Sequence, residues 1–329
     1  MKVLVTGGAG FIGSHLVEEL LTRGNEVHVI DALTTSARDN LSHLEANPKL
    51  NVTIDSVLNE ALMDEAVRDA DLVFHLAAAL GVKFILEHPL WSLQTNIRGT
   101  DVVLTAADRH KKPVLVASTS EVYGKNDSGP LKEDDDRIMG SSQLSRWFYA
   151  TAKAADEALA AAYWQEKRLP TICVRFFNTI GPRQTGRYGM VVPRFIGQAL
   201  RNEPVTVYGD GQQTRCFTYV GDVVKSVIAL TETESAWGDV YNVGRHAEIS
   251  IYDLASRVIE LTGSSSKIVL VPYSEAYTEG FEDMRRRVPE VSKLRATIGY
   301  TPDTTLDEAL RRIIAAYPTS SANSAAPVN

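Results

Sequence analysis

The chain is poor in the features that mark exported, membrane-bound or metal-centred proteins. Of its 329 residues only two are cysteine, Cys173 and Cys216, too few for a disulfide framework and with no metal-ligand spacing between them. Cys173 lies in an apolar strand pattern and reads as packing. No apolar run approaches membrane-spanning length. No lysine- or arginine-rich tract is present beyond the short run Arg285-Arg286-Arg287, and the net charge is −7. Nucleic acid and anionic membranes are therefore not expected as partners. The sequence starts directly in a strand pattern without a leader, so a soluble, cytoplasmic protein is expected. What is present is ordinary for a large globular core, 44% hydrophobic and 23% charged, in a length that suits two domains or one elaborated domain.

The N-terminus carries the first chemistry. Lys2 to Thr6 reads as a short buried strand and runs into Gly7-Gly8-Ala9-Gly10-Phe11-Ile12-Gly13. Gly8, Gly10 and Gly13 fit a Gly-x-Gly-x-x-Gly spacing; Gly7, Gly10 and Gly13 fit Gly-x-x-Gly-x-x-Gly. Such glycines permit a tight turn, approach of backbone to a pyrophosphate, and helix-on-strand packing. A helix over about Phe11 to Thr22 then offers its first-turn amides and dipole to phosphate. A second strand, Glu26 to Ile30, ends in Asp31, an acid placed to bind the adenosine ribose hydroxyls and to repel a 2′-phosphate. No basic residue follows until Arg38, so the expected cofactor is NAD rather than NADP.

Strand candidates at Lys2–Thr6, Glu26–Asp31, Asn51–Asp55, Leu72–Leu76, Pro113–Ser118 and Thr171–Phe176 alternate with helical stretches, notably Leu93–Lys111 and Ser145–Gln165. The alternation predicts an α/β fold: a Rossmann-type doubly wound parallel sheet with ligands at the carboxyl ends of its strands. After Asn178 the pattern changes. Short strands (Val205–Tyr208, Cys216–Tyr219, Val240–Asn242) mix with helices (Val191–Arg201, Ile251–Leu261, Leu306–Ala315), predicting a smaller mixed C-terminal substrate lobe. The expected division is 1–178 for the NAD-binding domain, with elements returning from the C-terminal half, 179–317 mainly for the lobe, and 318–329 as a disordered tail.

Tyr149 and Lys153 stand four residues apart on one helix face. The spacing alone arises by chance on many amphipathic helices; beside a dinucleotide site it gains meaning. A phenol is a poor base at neutral pH, and an adjacent ammonium is expected to favour its phenolate. The pair then suits removal of an alcohol proton while a hydride leaves the same carbon. His75-Leu76-Ala77-Ala78 and Ser118-Thr119-Ser120-Glu121, each at a strand end, fall where such a cleft needs them.

Together with Asn96-Ile97-Arg98-Gly99-Thr100, the run from Arg175 to Arg183, and Val207-Tyr208-Gly209-Asp210-Gly211 with Gln213-Thr214-Arg215, these segments resemble the extended short-chain dehydrogenase/reductase family, the nucleotide-sugar epimerases and dehydratases. The resemblance runs from Lys2 to about Ile314. It implies Thr119 as the hydroxyl bonding the sugar's 4-oxygen, Tyr149 as the base and Lys153 as the residue holding the nicotinamide ribose. It implies Gly7, Gly10, Phe11, Ile12, Gly13, Asp31, Asp55, Leu76, Ala77 and Ala78 around NAD. Ser120, Asn178, Arg194, Val207, Tyr208 and Arg215 would hold a UDP-sugar, with Asn178 and Arg215 at the diphosphate and Val207 and Tyr208 on the uridine side. No metal is implied. Family members commonly pair through two long helices, which implies a homodimer; Leu93, Val103, Leu104 and Ala107 suit such a seam or burial within one subunit.

Three features bear on the fate of the sugar once C4 is oxidised. Thr119-Ser120-Glu121, Arg146-Trp147-Phe148-Tyr149 and the stretch Tyr277 to Arg287 resemble UDP-glucuronate decarboxylases, namely UDP-xylose synthases, the lipid-A aminoarabinose decarboxylase domain and UDP-apiose/xylose synthases. The resemblance places Arg287 at the sugar carboxylate, which a guanidinium grips in two-pronged fashion. Glu121 is then a candidate acid/base at C5. Phe281 stands where the lipid-A group has tyrosine, and residues Thr179 to Met190 differ from the decarboxylase pattern. A UDP-sugar 4-epimerase acting on UDP-glucose or UDP-glucuronate is the alternative.

Overall fold

A computed structural model describes residues 1–34, 36–79, 88–186, 190–272, 284 and 286–317. Residues 277–283 and Arg285 of the decarboxylase-like stretch, residues 187–189 and the 318–329 tail lie outside the described residues. In chain order the strands are β1 (Lys2–Thr6), β2 (Glu26–Ile30), β3 (Leu50–Thr53), β4 (Leu72–His75), β5 (Val114–Thr119), β6 (Thr171–Phe176), β7 (Thr179–Ile180), β8 (Val205–Tyr208), β9 (Thr214–Cys216), β10 (Thr218–Tyr219), β11 (Asp239–Val243), β12 (Glu248–Ser250) and β13 (Ile268–Val271). The described α-helices are α1 (Phe11–Thr22), α2 (Glu60–Asp69), α3 (Pro89–His110), α4 (Phe148–Lys167), α5 (Val191–Leu200), α6 (Val220–Thr231), α7 (Ile251–Thr262), α8 (Ser292–Ile298) and α9 (Leu306–Ala315).

Seven strands form one parallel sheet in the order β3-β2-β1-β4-β5-β6-β11. Its strands are apolar on both sides because both faces are covered. Leu16, Val17 and Leu20 of α1 and Val220, Val223 and Val227 of α6 bury one face. Met63 and Val67 of α2, Val103 and Ala107 of α3 and Ala160 of α4 bury the other. Strand order reverses between β1 and β4, and that switch point opens the crevice in which such sheets bind ligands. A separate core joins α5, α7 and α9 to β8 through Phe195, Leu254, Val258, Leu310 and Val207.

The seventh strand comes from far along the chain. Val240–Asn242, expected as a short strand after residue 178, pairs as part of β11 with β6. The segment read as one strand over Cys216–Tyr219 divides at Phe217: β9 runs antiparallel to β12 and β10 parallel to β7. The long helix expected from Ser145 begins as a 3-10 turn, Ser145–Trp147, and becomes α-helical at Phe148. Val103, Leu104 and Ala107 are fully buried within the subunit, so of their two expected uses they take intramolecular packing. No helix among the described residues is long and apolar enough to cross a membrane.

Candidate active site

The glycine loop is shaped by steric necessity. Gly7 has φ +72°, and a Cβ on it would stand 2.7 Å from the Ala77 nitrogen, so the turns after β1 and β4 touch. A Cβ on Gly13 would stand 2.2 Å from the Gly7 carbonyl oxygen, so only glycine lets α1 sit so low on the sheet. Gly10 differs: a Cβ there would meet only the Gly7 oxygen, at 3.1 Å. Gly10 is the N-cap of α1 and supplies no side chain to its first turn, which also lacks an acid. The amides of Phe11, Ile12 and Gly13 are thus left to a ligand, beside room that the absent side chain leaves. This donor set and cradle fit a dinucleotide's pyrophosphate.

Asp31 braces that loop. Its carboxylate accepts hydrogen bonds from Ala9 N–H at 3.0 Å, Leu33 N–H at 2.8 Å and the Ser36 hydroxyl at 2.5 Å. Asp55 accepts from Ser56 N–H at 2.6 Å and the Asn59 amide at 2.9 Å, fixing the turn from β3 into α2. Leu76, Ala77 and Ala78 are half-buried. Two side chains of α3 hold their turn. Asn96 Oδ1 accepts from Ala79 N–H at 2.7 Å, and the Thr100 hydroxyl meets His75 Nε2 at 3.1 Å.

Tyr149, Lys153 and Asp156 form one inward stripe of α4, spaced by one helical turn. Tyr149 is 8% exposed and Lys153 1%. Thr119 ends β5, where its oxygen accepts from Glu121 N–H at 3.2 Å. The expected lowering of the phenol is not what this arrangement produces. Burial, then the Glu121 charge, then the Asp156 charge push the Tyr149 phenol up, and the Lys153 ammonium is bound to Asp156 Oδ2 at 2.9 Å.

Glu121 stands among arginines. Arg146 Nη1 lies 2.8 Å from its Oε2 and Arg287 Nη1 3.9 Å from its Oε1. Burial acts to raise the Glu121 carboxyl, but Arg146, Arg287 and Arg215 outweigh it and hold the group below the ordinary carboxylate range. Glu121 is therefore ionised at neutral pH, which suits a base or an orienting group better than the proton donor expected at C5. The Arg287 segment is fixed by its neighbours: Leu131 N–H donates to the Val288 carbonyl at 2.7 Å and Glu290 N–H to the Leu131 carbonyl at 2.8 Å.

Of the expected nucleotide-side residues, Arg194 lays its guanidinium 4.2 Å from the Tyr208 ring centroid and donates to the Thr206 carbonyl at 3.2 Å. Asn178, at φ +31°, donates from its side chain to the Cys216 carbonyl at 2.9 Å. Arg215 donates to the Thr214 carbonyl at 2.8 Å. Its charge also reaches Glu121, so it adds to the arginine cluster. Ser120 is buried. Val207 corrects the expectation for the uridine wall: its side chain is fully buried in the lobe core, because neighbours in a strand face opposite ways and Tyr208 takes the open side.

The described glycine cradle, switch-point crevice and Tyr149/Lys153 stripe thus lie on one sheet end. Residues 4–313 match the family model described as GDP-mannose 4,6 dehydratase. The chain belongs to the extended short-chain dehydrogenase/reductase family of nucleotide-sugar enzymes. The enzyme is 44% identical to the UDP-N-acetyl-alpha-D-glucosaminuronate decarboxylase of Bacillus cytotoxicus, over 95% of this chain and 96% of that one. It is 35% identical to UDP-glucuronic acid decarboxylase 1 of Arabidopsis thaliana, over 96% and 70%. Its fold superposes with TM-score 0.86 and 31% identity on the UDP-glucuronic acid 4-epimerase of Bacillus cereus, solved with UDP-glucuronic acid and NAD, covering 96% and 98% of the two chains. It is an NAD-dependent enzyme of the nucleotide-sugar decarboxylase group.

Two site features were missed at the sequence level. Arg146 was legible only as part of the Arg-Trp-x-Tyr resemblance, without its Glu121 partner. Asp156 had a local signal: an acid three residues after Lys153 in an alanine-rich stretch, on the same helix face.

Buried histidines also predict acid lability. Burial, then Lys153, lowers His75 from 6.5 to about 3. Burial is the largest influence on His15 too, lowering it from 6.5 to about 4. Both stay neutral in the fold and protonate first in the unfolded chain, so their contribution is full above about pH 6.5 and is lost as pH falls from there toward 4. Thermal melts should show Tm falling across that window. A Tm that is flat from pH 7 to pH 4 would contradict the assignment.

Proposed function

We propose that the enzyme oxidises C4 of a UDP-linked uronic acid and then releases the sugar carboxylate as carbon dioxide. The observation that carries this reading is the Arg146–Glu121–Arg287 cluster, with contacts of 2.8 and 3.9 Å, beside a tyrosine base at the end of the cofactor crevice. Bound NAD supplies the hydride acceptor. Gly7, Gly10 and Gly13, with the amides of Phe11, Ile12 and Gly13, would hold its diphosphate, Asp31 would take the adenosine ribose, and Asp55 and Leu76 to Ala78 would complete the cofactor site. Asn178, Arg194, Tyr208 and Arg215 hold the nucleotide, and Arg287 the sugar carboxylate.

Tyr149 takes the C4 hydroxyl proton as the C4 hydride departs, while Thr119 bonds the same oxygen. The ketone so formed is β to the carboxylate. The C5–carboxylate bond breaks, its electron pair passes to an enolate on the C4 oxygen, and Thr119 and the Tyr149 hydroxyl stabilise that charge. The enolate then takes a proton at C5 from solvent water, which restores the ketone. Glu121, ionised between its arginines, orients the C5 side of the sugar.

Incubation with UDP-glucuronate, and separately with its 2-acetamido counterpart, tests the reading by mass spectrometry. Loss of carbon dioxide from either is the expected result; an isomer of unchanged mass would establish a 4-epimerase instead and overturn it. The 44% identity to an enzyme named for the 2-acetamido uronate favours that substrate as a second reading over UDP-glucuronate itself.

A further inference from the structure

Asp156 is fully buried, yet the proposed chemistry makes no use of it. One of its oxygens takes the Lys153 ammonium at 2.9 Å. The other, Oδ1, is buried and accepts no hydrogen bond among the described residues. Burying a carboxylate is costly unless it is paired and fully hydrogen-bonded, and alanines occupy most neighbouring positions of α4. The acid answers the buried Lys153 ammonium rather than the apolar packing of the helix. The ion pair is sealed, with side-chain exposures of 2% and 0%.

We propose that Asp156 is a positioning residue for the oxidation step: it holds the Lys153 ammonium one turn beyond Tyr149 and so governs how much positive charge the tyrosine oxygen feels. The inference rests on the Tyr149 role proposed above. Lys153 sits between two claimants on one stripe, the phenol at i−4 and the carboxylate at i+3. Paired with Asp156 it forms a neutral unit and contributes little to the phenolate. Released from that charge it becomes the cation adjoining Tyr149.

The surrounding charges leave this pair in control. Glu121, from the turn after β5, acts on Tyr149 but is itself held by Arg146 and Arg287. Glu157, on the same helix, is taken by Arg175 of β6 through two bonds of 2.9 and 2.8 Å and by the Ser118 hydroxyl of β5 at 2.5 Å. His75 of β4 stays neutral between Thr6 and Thr100. Burial, ahead of Glu157 and Asp156, pushes the Cys173 thiol of β6 up and keeps it protonated. Asp156 is thus the charge that neutralises Lys153 directly.

Asp156→Asn keeps the shape and removes the charge. Phenolate ultraviolet absorbance of the purified enzyme, differenced against the same background carrying Tyr149→Phe, reads Tyr149 alone. The variant should form the Tyr149 phenolate about one pH unit or more below the wild type, and the acid limb of its kcat profile should move the same way. Asp156→Ala serves if the asparagine variant does not fold. A folded variant whose Tyr149 ionises where the wild type does, or nowhere in its folded range, overturns the proposal, even if its Tm and kcat fall. Failure here is separate from failure of the base assignment, which Tyr149→Phe turnover tests independently.

Discussion

Tyr149→Phe should lower turnover by about 10²- to 10⁴-fold, the range that a positioned acid/base group contributes, while NAD affinity stays near the wild-type value. Only an oxygen is removed, so the ring still fills its nearly closed position at 8% exposure and α4 keeps its packing. The amides and glycines proposed to bind the cofactor's diphosphate belong to a different element, α1 and the loop before it. The same variant should also fail in the half-reaction that transfers hydride to the cofactor, read as nicotinamide absorbance on adding substrate. A variant that reduces the cofactor at the wild-type rate would remove Tyr149 from its role.

Arg287→Ala should raise KM for a UDP-uronate by about 30-fold or more, from the 2–5 kcal/mol lost when one partner of a buried charge pair is truncated. Inhibition by UDP alone should change little, because Arg194 and Tyr208 lie in the lobe while Arg287 faces Glu121. Glu121 should respond as well. Arg287 is one of the charges that hold its carboxyl down, against burial that acts to raise it. Its removal should move the Glu121 ionisation upward, and with it any acid-side limb of the decarboxylation step. Titrating uronate and UDP binding by calorimetry separates the two effects. Equal losses of both affinities would argue against carboxylate recognition.

Much of the fold and site was legible in the residues because it is local. The glycine loop, Asp31 and α1 answer to steric and electrostatic rules that act within a few positions, and α1 runs over the predicted Phe11–Thr22. Other features were not local. β11 joins the sheet beside β6 although more than sixty residues intervene, and its short apolar run gives no sign of which partner it will choose. Arg146 and Glu121 meet only once the 3-10 turn at Ser145–Trp147 is folded onto the end of β5. Val207 differs again. Strand alternation already forbids Val207 and Tyr208 from facing the same cavity, so naming both as wall residues set a family pattern above a geometric rule. The Tyr149 phenol moved up for a different reason: an ammonium four residues off was weighed, while burial, the largest cause, and the Glu121 and Asp156 charges were not.

The pairing of Leu131 with Val288 and Glu290 reaches beyond local order. Asn242 of β11 donates to the Leu131 carbonyl at 2.8 Å and accepts from the Tyr123 hydroxyl at 2.8 Å. Arg175 of β6 in turn donates to that hydroxyl at 2.8 Å. The Arg287 guanidinium, one residue before Val288, is thereby bolted to the large sheet, the same chassis that bears Thr119 and against which the Tyr149 helix packs. Were the α5–α7–α9 layer to tilt as substrate enters or product leaves, the grip on the sugar's acid end would keep its alignment with the oxidising end.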